Sequence, residues 1–215
     1  MPHLDILNWE EPYDLSQNFY HALACTSIRH LKLNHRITKG FEISLLESRV
    51  WPLRTLHLEL TCDLWKKETT AVLCASILRL CAPSLETLVW IHRRCKDYQT
   101  FGDGPVPQFP CLRNLHLQML ELADSSIMDA FLRSKFVKLK LIEGTDLLDE
   151  ALDSCGQIPS LKALSMTKPT LVFLQANTQL SKIDFDSATF SRMSLETQIL
   201  PILSTPSNLT SLRIS

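Results

Sequence analysis

The chain has 215 residues, of which 22 are basic and 23 acidic, for a formal net charge of −1. That balance supplies no general attraction to nucleic acid or to an anionic membrane. Leucine occurs 39 times against five glycines and three tyrosines, which excludes disorder, collagen-like sequence and the glycine-rich sites of nucleotide enzymes.

Taken in chain order, a frame of apolar, two residues, apolar, one residue, apolar keeps returning. A truncated copy opens the chain at Met1/Leu4/Ile6, and a helix is predicted over Asn18 to Cys25. The first full copy is Ile28/Leu31/Leu33, followed by helical spacing from Phe41 to Glu47. Leu53/Leu56/Leu58 leads to the clearest helix, Glu68 to Cys81, with Val72, Leu73, Ile77, Leu80 and Cys81 on one side. After Leu85/Leu88/Trp90 the pattern breaks, and Arg93 to Gln108 reads as a loop.

Leu112/Leu115/Leu117 then precedes a helix over Asp124 to Arg133, with Asp124 as its N-cap. Phe136/Leu139/Leu141 precedes Thr145 to Cys155, where Gly156 stands as the C-cap. Leu161/Leu164/Met166 and Leu180/Ile183/Phe185 follow. Helical spacing from Leu195 to Leu203, interrupted by Pro201, leads to the last copy, Leu209/Leu212/Ile214. Successive copies start 19 to 32 residues apart, with a mean of 26, and a proline precedes five of them (Pro52, Pro83, Pro110, Pro159 and Pro206). Proline lacks a donor and disfavours helix in the residue before it, so it ends one element and launches an extended one. Frame and proline share one period, which predicts stacked strand–helix units with a continuous core.

These residues resemble the leucine-rich repeat family, whose signature is L-x-x-L-x-L. The resemblance covers nearly the whole chain and implies an α/β solenoid (horseshoe), with a parallel concave sheet and helices on the convex side. It implies one domain over 1–215, about eight full repeats plus the truncated first one, with 93–108 as an inserted loop. The chain departs from the family three positions after the strand, where an Asn or Cys is usual and Arg36, Thr61, Arg93 and Leu120 stand instead. The irregular lengths and the apolar-Pro-x-Leu segments (Trp51-Pro52-Leu53, Phe109-Pro110-Cys111-Leu112, Ile158-Pro159-Ser160-Leu161) are similar to the divergent repeat tails of fungal F-box/leucine-rich repeat proteins. No Leu-Pro-x-Glu leader of an F-box precedes the repeats, and the chain begins and ends inside a frame. It is therefore read as a tail, a fragment of a longer protein, or a truncated scaffold.

Targeting signals are not apparent. Met1 to Glu11 hold Pro2, His3, Asp5, Glu10 and Glu11, with no basic stretch before an apolar one. Ala71 to Pro83 is too short to cross a bilayer and carries Arg79. The expected location is intracellular, cytoplasmic or nuclear, with seven cysteines kept as reduced thiols. Cys74 and Cys81 are separated by roughly 10 Å on a helix, beyond the ~7 Å Cα limit of a disulfide. Asn208-Leu209-Thr210 matches the glycosylation sequon but needs a secretory route.

Catalytic signatures are missing: no Gly-rich phosphate loop, H-E-x-x-H, G-x-S-x-G or paired C-x-x-C occurs. Gly102-Asp103-Gly104 reads as a turn. His92 and Cys95 place two possible metal ligands together without the rest of a tetrahedral set. No catalytic residue, metal or cofactor is assigned.

The alternate strand residues are expected on the open face of the sheet. They include His57 and Glu59, then Thr87, Val89 and Ile91, then His116 and Gln118, then Lys138 and Lys140. Ala163, Ser165 and Thr167 follow, and then Lys182, Asp184 and Asp186. Val89 and Ile91 make an apolar island flanked by two imidazoles. Such a face suits a protein partner, with a few desolvated anchors inside a polar rim; it also suits a plain solvated sheet. The loop adds Arg93, Arg94, Lys96, Tyr98 and Phe101, either as a basic-aromatic arm that grips an acidic segment or as repeat decay. His57 and His116 lie two strands apart, about 10 Å, too far to share one zinc.

The functional expectation is a non-catalytic protein-interaction module, recognising substrates for an F-box-type ubiquitin ligase. Its partners would be proteins, with cullin-ligase components reached through an upstream F-box, and neither nucleic acid nor membrane. A stand-alone scaffold and a hydrolase using a face histidine are the other two readings.

Overall fold

An extended segment with apolar residues two apart presents both on one side of the pleat, and among the described residues that side carries a large share of the buried leucine. The computed structural model describes residues 4–11, 13, 15–37, 50–62, 70–93, 98–101, 105–142, 146–167, 171–185 and 208–214. Strand β1 (Ile6–Trp9), helix α1 (Gln17–Ala24), β2 (His30–Ile37) and β3 (Thr55–Cys62) come first. Next are α2 (Ala71–Cys81), β4 (Thr87–Arg93), β5 (Tyr98–Gln99), β6 (Asn114–Gln118), β7 (Glu121–Leu122) and α3 (Ser126–Leu132). The chain continues with β8 (Lys138–Ile142), α4 (Asp146–Cys155), β9 (Ala163–Met166), α5 (Leu171–Ala176), β10 (Lys182–Phe185) and β11 (Ser211–Ile214).

The architecture is α/β. Nine strands form one parallel sheet in the order β1-β2-β3-β4-β6-β8-β9-β10-β11. Its register follows the leucine frame. Leu31 pairs with Leu56, Leu56 with Leu88, Leu88 with Leu115, Leu115 with Leu139 and Leu139 with Leu164. Leu164 pairs with Ile183 and Ile183 with Leu212. From Leu31 to Ile183 these side chains are at most 5% exposed, whereas Leu212, on the last strand, is 38% exposed. Coverage by the next strand accounts for that contrast.

The opening frame needs a correction. Leu7 pairs with Leu31 and Trp9 with Leu33, so the copy in register is Leu4/Leu7/Trp9 and not Met1/Leu4/Ile6. Ile6 is 57% exposed, while Leu7 and Trp9 pack against the core. The Trp9 and Phe19 rings lie 5.1 Å apart, a contact between β1 and α1 that this register makes.

Four expected helices are present as α1 to α4. The Ser16 side chain accepts from the Phe19 N–H at 3.3 Å at the start of α1. The N-cap of α3 is Ser125, one residue later than the expected Asp124, whose side chain still accepts from the Ser126 N–H at 2.9 Å. Gly156 follows α4 with φ +68°, the left-handed conformation a helix terminator needs. α5 was not expected; its six residues are too few to show helical periodicity. The helices expected over 41–47 and 195–203 lie outside the described residues. None of the described helices is long and apolar enough to cross a membrane.

The segment expected to be an open loop is packed where it is described. β4 runs on through Arg93, and β5 pairs with β7 in a separate parallel ribbon. Gln99 is buried and donates to the Thr70 hydroxyl at 2.9 Å. The Phe101 carbonyl accepts from the Arg79 guanidinium, which also lies over the Phe101 ring.

Polar rungs tie the turns that precede the strands. The Ser84 hydroxyl lies 2.9 Å from the Leu53 carbonyl and 3.1 Å from that of Trp51. Ser160 donates to the Phe136 carbonyl at 2.8 Å, and Gln179 to the Ile158 carbonyl at 2.7 Å. Each donor immediately precedes a framed apolar residue and reaches back to the preceding unit. Asn177, itself buried, accepts from the Ile158 N–H at 2.8 Å and donates to the Phe173 carbonyl, also at 2.8 Å. These side chains occupy a different position from the Asn or Cys that the family resemblance led one to look for. Removing the Ser84 hydroxyl leaves the part-buried Leu53 carbonyl short of a donor, while that of Trp51 keeps the Leu53 N–H. S84A should lower the unfolding free energy by about 1–3 kcal/mol in urea titration, while S27A, in the exposed segment before β2, should change it by less than about 0.5 kcal/mol.

Candidate protein-binding face

Because the leucines take one side of each strand, the residues between them take the other. The register sets these in rows. Across β3, β4, β6 and β8 the first row is Thr55, Thr87, Asn114 and Lys138. The second is His57, Val89, His116 and Lys140, and the third is Glu59, Ile91, Gln118 and Ile142. Nine expected contact residues, Thr87, His57, Val89, His116, Lys138, Lys140, Glu59, Ile91 and Gln118, thus share one patch on four adjacent strands.

Their exposure differs. Lys138 and Lys140 are exposed, and Thr87, His57, Val89, His116 and Gln118 are half-buried. Ile91 and Glu59 are each only 8% exposed. The expected Val89/Ile91 island therefore shrinks to Val89, since Ile91 sits low between Glu59 and Gln118. Two of the hydroxyls are engaged within the sheet: Asn114 donates to Thr87 and the His30 Nδ1 lies near Thr55, each at 3.0 Å.

Glu59 is the acidic centre of the patch. Arg93 approaches it at 2.7 Å, and the His57 Nε2 lies 3.6 Å from its other oxygen. A buried carboxylate held by a guanidinium costs far less than a lone one, which explains an acid at this depth. Arg93 thus joins the patch through Glu59. Arg94 and Lys96 lie outside the described residues. Tyr98 is 60% exposed but belongs to the β5–β7 ribbon. Phe101 is corrected from a gripping aromatic to a core residue, 2% exposed, because the Arg79 contacts and the apolar interior hold it inward.

The pKa values of His57 and His116 are lowered. Burial lowers the His116 pKa to about 4, helped by the neighbouring Lys140 charge and by His57. His57 is lowered as well, first by burial and then by Lys32, against the pull of Glu59. His57 and His116 flank Val89, with one strand between them, as the spacing implied.

His92 belongs to the opposite side of β4. It is 1% exposed, edge-on to Trp90 with ring centres 5.8 Å apart, and neither ring nitrogen has a hydrogen-bond partner. Burial lowers its pKa to about 4. Cys95 lies outside the described residues, and among those described no cluster of three or more His, Cys, Asp or Glu side chains could hold a metal ion. Elsewhere, a cleft of about 300 Å³ borders Cys155, whose thiol is pushed up to about 11, chiefly by burial. Cys74 and Cys81 are buried free thiols.

The rows were legible from the strand frame. The Glu59–Arg93 pair was not, because the sequence gives no sign that β4 extends to Arg93. Among known proteins, no family model, curated protein or solved structure matches the chain.

A histidine with a depressed folded pKa takes up its proton on unfolding at about pH 6.5. Stability is therefore complete above pH 6.5 and falls as pH drops toward 4. For the enclosed His92 the slope is on the order of 1 kcal/mol per pH unit. Thermal midpoints measured from pH 7 to 4 should decline in the parent chain and decline less steeply in H92F. An equal slope in both would contradict a neutral buried imidazole at this position.

Proposed function

We propose that the chain is a leucine-rich repeat solenoid that acts as a non-catalytic protein-interaction module, with the open face of its nine-stranded sheet as the contact surface. The observation that carries this reading is the register. One frame, repeated from strand to strand, buries its leucines and leaves Thr87, His57, Val89, His116, Gln118, Lys138 and Lys140 side by side. Curvature into a horseshoe, with this face concave, belongs to the same proposal. It follows from packing helices behind a parallel sheet whose strands lie only about 4.8 Å apart.

The face has the composition of a recognition surface: one central apolar side chain, Val89, among amides, imidazoles and lysines. The chemistry of acid–base or nucleophilic catalysis asks for groups within hydrogen-bond reach. His57 and His116 stand on either side of Val89 instead.

The finer reading is substrate recognition within an F-box-type ubiquitin ligase. It is supported by the apolar-Pro-x-Leu segments at Trp51–Leu53, Phe109–Leu112 and Ile158–Leu161. A stand-alone intracellular scaffold shares the same face and differs only in its company.

Affinity purification of the longest gene product separates these readings. The tagged chain should recover partners that V89R loses about tenfold or more and that V72K retains, since Val72, expected on the apolar side of α2, is 48% exposed. Recovery of cullin-ligase components supports the ligase reading, and their consistent absence leaves the scaffold. Partner recovery unaffected by V89R would overturn the assignment of this face.

A further inference from the structure

The charges on the sheet are segregated along it. Near β1 to β4 the basic side chains are satisfied by acids: Lys32 pairs with Glu10, and Arg93 with Glu59. Toward the other end this ceases. Lys138 and Lys140 on β8 and Lys182 on β10 are exposed. No ion pair to any of the three is found among the described residues.

Between the two lysine-bearing strands lies β9, which offers only small side chains to the face. Ala163 stands between Lys138 and Lys182, and Ser165 between Lys140 and Asp184. The result is a shallow trough with cations on both banks. Among the described residues Asp184 is the single carboxylate on this face from β6 to β10, against three lysines.

The spacings select a shape of ligand. Lys138 and Lys140 are two residues apart on one strand, about 6.6 Å, which equals the separation of alternate side chains in an extended peptide. Lys138 and Lys182 are two strands apart, about 10 Å. We infer that this trough docks an extended acidic polypeptide segment of the pattern acid-x-acid, its two carboxylates over Lys138 and Lys140 and a third acid reaching Lys182. This inference rests on the reading of the sheet face as a protein-binding surface and names the class of partner.

A nucleic acid fits less well. Specific and non-specific nucleic-acid binding draws on six to ten phosphate contacts in typical cases, and single strands need aromatic platforms. Among the described residues the rows from β6 to β10 carry three lysines and no Phe, Tyr or Trp. Ser165 and Asn114 supply neutral donors of the kind that bind carboxylate or backbone amide.

The test uses the full chain and a fluorescein-labelled peptide of alternating Glu and Ser, read by fluorescence anisotropy at low ionic strength. Binding should weaken about tenfold in K138Q/K140Q and stay within about twofold in R133Q/K135Q, which removes the same charge from the turn before β8. It should also weaken as salt is raised, and a Gln/Ser peptide should not bind. Circular dichroism confirms that both variants fold. Equal loss in R133Q/K135Q, or no binding by the parent chain, would overturn the inference. So would tighter binding of an oligothymidylate that displaces the peptide. If the peptide fails while V89R still abolishes partner recovery, the acidic class falls and the binding face stands. If V89R also leaves recovery intact, the face itself falls.

Discussion

Two leucines separated by one residue on a strand create an apolar stripe that the strand cannot cover, and the helix that follows is too short to cover it alone. Placing the same stripe of the next unit alongside, about 4.8 Å away, covers it from the flank. Leu56 between Leu31 and Leu88, and Leu139 between Leu115 and Leu164, are enclosed in this way. Each such leucine is worth about 2–5 kcal/mol against alanine, far more than any single polar contact on the surface. The constraint bears on the framed positions and says little about the chain between them. Units can therefore differ in length from 19 to 32 residues while the strands stay in step.

The same physics shows why the sequence discloses some features and hides others. A frame repeated eight times is over-determined, so the strand positions from Leu31 to Leu212 are readable. At β1 there is one copy and two possible registers, and the packing of Leu7 and Trp9 against the core, with the Trp9–Phe19 contact, distinguishes them. α5 is a six-residue apolar run without periodicity. The segment around Phe101 looks like decay because its anchors, Thr70 and Arg79, lie more than twenty residues away in the chain. Ser84 and Ser160 could have been noticed: both sit in Pro-Ser-Leu at the same place in the frame. The depth of Ile91 could not, since strand alternation fixes direction and not exposure.

Charge illustrates the limit of composition. A formal net charge of −1 describes the whole chain, but association is governed by the potential where a partner lands. Here acids and bases cancel near β1 to β4 through Glu10 and Glu59, and Lys138, Lys140 and Lys182 are left uncancelled near β8 to β10. His116 on β6 stands between the two regions. The face thus has a paired end and an open end, and only the register makes that division visible.

The central claim is the register of the leucine stripe, and methyl contacts measure it directly. In a perdeuterated chain with labelled leucine, isoleucine and valine methyl groups, nuclear Overhauser contacts should link Leu31 to Leu56, Leu56 to Leu88, Leu88 to Leu115, Leu115 to Leu139 and Leu139 to Leu164. No contact should link Leu56 to Leu164, four strands away. Methyl contacts confined to sequence neighbours, or linking leucines that the sheet keeps several strands apart, would contradict the stacked parallel sheet and the binding face that depends on it.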